Sequence, residues 1–96
     1  MLSFTVRMKF APEDREEIAE TLRQLAVESR KEPGCVSYIP HQVEGDPDTV
    51  VIYEQYQDAK ALAAHRAAEH FQKHAVGVLY QRMRDRAVEN LTALES

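Results

Sequence analysis

Tryptophan is absent from this 96-residue chain, cysteine and asparagine occur once each, and glycine only three times. A single Cys35 leaves no internal disulfide framework and no thiolate metal cluster. No charged segment followed by an apolar run of about 7 to 15 residues opens the chain, and no repeat, low-complexity tract or Gly/Ser linker divides it. The net charge is -4 with acidic and basic residues interleaved, so there is no basic stripe to neutralise nucleic-acid phosphates. These absences predict a soluble, cytoplasmic protein made of one domain over residues 1–96, with neither nucleic acid nor membrane as partner. A chain this short buries roughly 60 to 65% of its unfolded surface, so self-association would help it.

What is present falls into clear periods. In "LSFTVRMKF", Leu2, Phe4, Val6, Met8 and Phe10 alternate with Ser3, Thr5, Arg7 and Lys9, the pattern of a strand with one buried face. After Pro12 the period becomes helical, with Ile18, Leu22, Leu25, Ala26 and Ser29 on one face, acids at the start, Arg30 and Lys31 at the end, and "EPG" as the stop. "CVSYIPHQVE" and "TVVIYEQYQ" read as a hairpin turning through "GDPD", and Pro40 puts the first of these strands at a sheet edge. Asp58 caps a helix through Leu62 and His65, while a second stripe runs through Phe71, Ala75, Val78 and Leu79. The nine residues from Leu62 to Phe71 are half a turn out of phase at about 100° per residue, which predicts a bend or break near residues 66–69. In "RAVENLTALES", Val88, Leu91 and Leu94 lean locally towards helix. The order approaches a split β-α-β layout.

Three blocks carry a family resemblance: "EPGCVSY" at 32–38, "VVIYEQYQDAKALAAH" at 50–65, and "EHF" at 69–71 with the helix after it. Over most of residues 2–80 the chain resembles the antibiotic biosynthesis monooxygenase domain family, in particular its small single-domain members of the quinol monooxygenase type. The resemblance implies a ferredoxin-like α+β sandwich whose sheet packs on that of a second subunit, giving a homodimer with a dimeric α+β barrel. It also implies that residues 86–94 form a fourth strand, against the local helical reading. The family includes heme-degrading enzymes, an isomerase of phosphorylated autoinducer-2 and members of unknown role. The heme-degrading branch uses a Trp and a first-strand Asn, whereas this chain has no Trp and its one Asn is Asn90. Where relatives tend to carry Ser or Thr and then Pro before the His-aromatic pair, Ala68 and Glu69 stand here, which predicts a weaker helix break.

Three of the four histidines, His65, His70 and His74, fall within ten positions. His70 and His74 are one turn apart and can share a metal ion, but spacing supplies no third ligand, so the expectation is no metal and no cofactor. His74 shares the stripe of Phe71, Ala75 and Val78, so it faces the sheet either as a hydrogen-bonded core residue or at a pocket. Glu54 is an acid in the row Val50, Ile52, Glu54 and Tyr56. It is either a semi-buried base with a raised pKa or half of an ion pair with an arginine. Glu54 and His65 are the candidate catalytic residues, and His70, His74, Tyr38 and Tyr53 the candidate substrate-binding ones.

The function these readings favour is a monooxygenase acting without metal, flavin or heme on a quinol or other electron-rich aromatic and on molecular oxygen. An anionic phenol can pass an electron to oxygen directly, so the protein need supply only a base, a dry cavity and orientation. An isomerase of a small phosphorylated or hydroxylated carbonyl compound and a noncatalytic dimeric ligand-binding module are the alternatives.

Overall fold

The alternating N-terminal segment forms β1 (Leu2–Lys9), with Phe4, Val6 and Met8 buried. The computed structural model describes residues 1–95. A short 3-10 turn at Pro12–Asp14 leads into α1 (Arg15–Arg30), and every residue of the expected apolar face, Ile18, Leu22, Leu25, Ala26 and Ser29, is buried.

The hairpin strands are β2 (Cys35–Val43) and β3 (Asp46–Tyr56). Their turn is tighter than expected: Glu44 and Gly45 form it alone, and Asp46, Pro47 and Asp48 already belong to β3. Gly45 sits at φ 82, in the left-handed region that glycine enters without steric cost. β4 (Asp85–Leu91) pairs antiparallel with β1, which overturns the local helical reading of this segment. A free edge of β1 offers a full ladder of backbone partners, and that outweighs a weak helical propensity. The sheet order is β2-β3-β1-β4, so β2 is an edge strand, as Pro40 requires.

Asp58 caps α2 (Ala59–Ala67), its Oδ1 accepting the Ala61 N–H at 2.8 Å. The helix stops outright at Ala68, whose ψ of 148 is extended, so the break falls where the phase slip predicted and is not a mild bend. The chain then winds as a π-helical segment, Phe71–Leu79, and closes with one turn of α3 (Tyr80–Arg82). The buried face of the antiparallel sheet, α1 and the π-helical segment share one core, from Phe4, Val6 and Met8 through Leu22, Leu25 and Ile52 to Ala75 and Leu79. This is the α+β ferredoxin-like arrangement. Among the described residues no helix is long and apolar enough to cross a membrane.

The loop between α1 and β2 is pinned against α2. Gly34 lies so close that a Cβ there would sit 2.3 Å from the Ala61 Cβ, and the Gly34 carbonyl accepts the Gln57 N–H at 2.9 Å. Substituting Gly34→Ala forces α2 away from the loop and should destabilise the fold by about 1–3 kcal/mol. Urea unfolding measures this, and an unchanged midpoint would mean that the two backbones separate freely.

Candidate active site

Strand alternation places Glu54 on the buried face of β3, and pairing sets Phe4 of β1 and Tyr38 of β2 on either side of it. The Glu54 side chain is 8% exposed, and its Oε1 accepts a hydrogen bond from the Tyr56 hydroxyl at 2.7 Å. Among the described residues of one chain, the basic side chain within 4.0 Å of it is His65, and no arginine of the same chain comes as close. The His65 Nε2 lies 3.8 Å from Glu54 Oε1, too far for a hydrogen bond. Burial pushes the Glu54 carboxyl up to about 7, outweighing the Tyr56 hydrogen bond and the more distant Arg66 and Arg86, all of which favour the carboxylate.

His65 comes from the last turns of α2 and is buried. Its Nδ1 stands 2.9 and 3.2 Å from the two carboxylate oxygens of Glu32, in the loop that Gly34 pins. His70 Nε2 contacts the same carboxylate. A carboxylate only accepts, so Nδ1–H of His65 donates to Glu32 and the ring presents Nε2 towards Glu54. Burial lowers the His65 pKa against the opposing pull of Glu32, so the neutral ring with a free Nε2 lone pair is the favoured form. Aromatic rings enclose it: Tyr56 and Phe71 each at 5.1 Å between centroids, and Tyr38 at 5.7 Å. Burial also raises the Tyr38 and Tyr56 phenols, with Glu54 adding to the shift, so both remain neutral donors.

The break at Ala68 makes this convergence possible. On a straight helix His65 and His70 would point about 140° apart; with Ala68 extended, their ring centroids are 6.1 Å apart. Beside the site, Phe4 stacks on Tyr56 with centroids 6.1 Å apart. Phe4 and Leu62 also line an open cleft of about 520 Å³, together with Gln55 of β3 and Asn90 and Leu91 of β4.

The structure gathers Glu54, His65, His70 and Tyr38 into one cluster and leaves two candidates outside it. Tyr53 alternates to the opposite face of β3, half-buried and paired with Thr5 and Ile39, so it points away from Glu54. His74 is buried, and instead of facing the sheet it lies against α1, lining with His70 a hollow bounded by Glu20, Gln24 and Glu28. The reason is that the π-helical segment packs side by side with α1, so the flank that carries His74 meets α1 while Ala75 and Leu79 enter the shared core. The roles of two site residues escape sequence reasoning. Glu32 reads as part of a helix stop, although it opens the "EPG" block that carries the resemblance. Tyr56 reads as an aromatic that could orient a substrate through its ring and hydroxyl, and what goes unread is that the hydroxyl donates to the Glu54 carboxylate.

The site is thus a carboxylate and a histidine buried together among aromatic rings in a four-stranded α+β domain. The family model described as "Antibiotic biosynthesis monooxygenase" matches residues 1–76, and the chain belongs to that family. It is similar to Putative monooxygenase YcnE of Bacillus subtilis (strain 168), 32% identical over 72 residues that cover 75% of this chain and 76% of that protein. Among solved structures, an antibiotic biosynthesis monooxygenase superposes with a TM-score of 0.90 at 29% identity, over 99% of this chain and 100% of its own. PA3566 from Pseudomonas aeruginosa superposes with a TM-score of 0.88 at 30% identity, over 98% of this chain and 94% of its own.

Proposed function

We propose that this protein is a cofactor-independent monooxygenase of quinols or related electron-rich aromatics, with Glu54 as the base. The observation that carries the reading is the buried Glu54 carboxyl, brought to about 7, hydrogen-bonded by Tyr56 and set beside His65 among aromatic rings. A base poised near the working pH removes a phenolic proton with the least loss in either protonation state. The resulting anion is electron-rich enough to reduce oxygen directly, and the aromatic surroundings keep water from competing. His65, aimed by Glu32, sets its Nε2 beside the same point and can accept a second substrate hydroxyl. His70 and Tyr38 complete the polar lining.

The test is a panel of hydroquinones and hydroxyketones, read as oxygen uptake and product mass. Oxygen uptake with a hydroquinone by metal-free protein supports the reading. Proton exchange in a hydroxyketone without oxygen consumption would replace it by the isomerase, and saturable binding without turnover by a binding module.

The same reading includes a homodimer. The sheet face away from the helices carries Ile39, Val51 and Tyr53, partly exposed and without any covering layer in one chain. A second copy packed on it would bury this apolar strip. Light scattering at micromolar concentration is expected to give twice the chain mass of 11.0 kDa; a mass of one chain would remove the dimer.

A further inference from the structure

The carboxylate of Glu32 does something the proton-transfer reading leaves unused. It meets two imidazole nitrogens from two different helical segments, and the donor atoms of Glu32, His65 and His70 all lie within 4.8 Å of one another. Sequence spacing pointed to the pair His70 and His74 and found no third ligand. In the fold the pair is His65 and His70, and the third ligand arrives from the loop between α1 and β2.

We infer that Glu32, His65 Nδ1 and His70 Nε2 form a binding site for one divalent transition-metal ion of the Zn²⁺ class. Two imidazoles and one carboxylate are a donor set that such ions accept and that Mg²⁺ and Ca²⁺, which prefer oxygen alone, do not. Bonds of about 2.0–2.2 Å at tetrahedral angles put donor atoms roughly 3.4 Å apart. From 2.9 Å between His65 Nδ1 and Glu32 that pair need open by about half an ångström, and His70, which meets the same carboxylate oxygen more closely, must draw back further. A carboxylate stands behind the first histidine: the other nitrogen of His65 faces Glu54 Oε1 at 3.8 Å, and a small approach would close that gap to a hydrogen bond. A carboxylate behind a metal-bound histidine is the arrangement that orients such ligands. An entry path exists too: the His70 and Glu32 side chains are 18% and 15% exposed, and His70 borders the hollow of about 580 Å³ between α1 and the π-helical segment. Water from that hollow can fill the fourth position.

An ion here would replace the protons that the two histidines donate to Glu32. With Nδ1 on the metal, His65 carries its proton on Nε2, facing Glu54. The inference rests on this ligand geometry and not on the oxygenase reading, so its test needs no substrate.

The test is calorimetric titration of ZnCl₂ into the full chain after dialysis against a chelator, beside the variants Glu32→Gln, His70→Ala and His74→Ala. Wild type is expected to saturate at one ion per chain, and Glu32→Gln and His70→Ala each to bind at least about tenfold more weakly. His74→Ala, which alters a histidine outside the set, is expected to bind as wild type does. Circular dichroism checks the fold of each variant, and Co²⁺ in place of Zn²⁺ should give the visible absorption of a tetrahedral site. Absence of saturable binding, equal affinity in Glu32→Gln, or a loss confined to His74→Ala would each overturn the site.

Discussion

Replacing Glu54 with Gln is expected to lower the turnover of an active hydroquinone by roughly 10²- to 10⁴-fold, the range over which a positioned general base acts. The amide matches the carboxylate in volume and still accepts the Tyr56 hydroxyl, so the fold and the cleft should survive and the loss be one of chemistry. His65→Ala should have a smaller effect. Its Nε2 is 3.8 Å from Glu54 Oε1, and in the proposed mechanism it would orient a substrate group instead of receiving the first proton. The pH profile separates the roles: activity that rises towards an apparent pKa near 7 in wild type should lose that limb in Glu54→Gln and keep it in His65→Ala. If His65→Ala shows the larger loss together with the vanished limb, the base is the histidine. Full activity in both variants removes the pair from the mechanism.

Wild-type stability is expected to fall, relative to Glu54→Gln, by about 2.5 kcal/mol between pH 5 and pH 8. The folded protein holds the Glu54 proton up to about 7, whereas the unfolded chain releases it near the ordinary value of 4.5. Between those values the native state binds more protons than the unfolded state. The stabilisation from the neutral carboxyl is therefore complete below the lower value and lost as pH rises through the upper one. His65 acts in the opposite sense. Burial holds its pKa below the ordinary 6.5, so its contribution is present above that value and lost as pH falls. Both proteins keep His65, and the difference between them isolates Glu54. Urea unfolding of both at the two pH values measures it, and parallel changes would show that Glu54 is not titrating from a buried, proton-holding position.

The elements that could be read directly are those whose period is local. The alternation of β1 and the buried face of α1 follow from the spacing of apolar residues, and the break near residue 68 follows from a phase slip between two apolar stripes. β4 could not be read that way, since its seven residues are all exposed and carry no buried stripe. Only the unpaired edge of β1, supplied by the rest of the sheet, decides that it is a strand.

The same division runs through the site. The sequence by itself determined that an acid stands in an apolar row at Glu54, that Asp58 starts a helix leading to His65, and that three histidines cluster beside a helix break. It could not determine which nitrogens face which oxygens, because those contacts span 33 residues from Glu32 to His65 and 38 from Glu32 to His70. Tertiary structure alone brought Glu32 under both histidines, through the close approach of Gly34 to Ala61, and turned His74 towards α1 and Tyr53 to the far face of the sheet. Periodicity fixes the side of an element on which a residue lies. The partner it meets there depends on how elements distant in the chain pack.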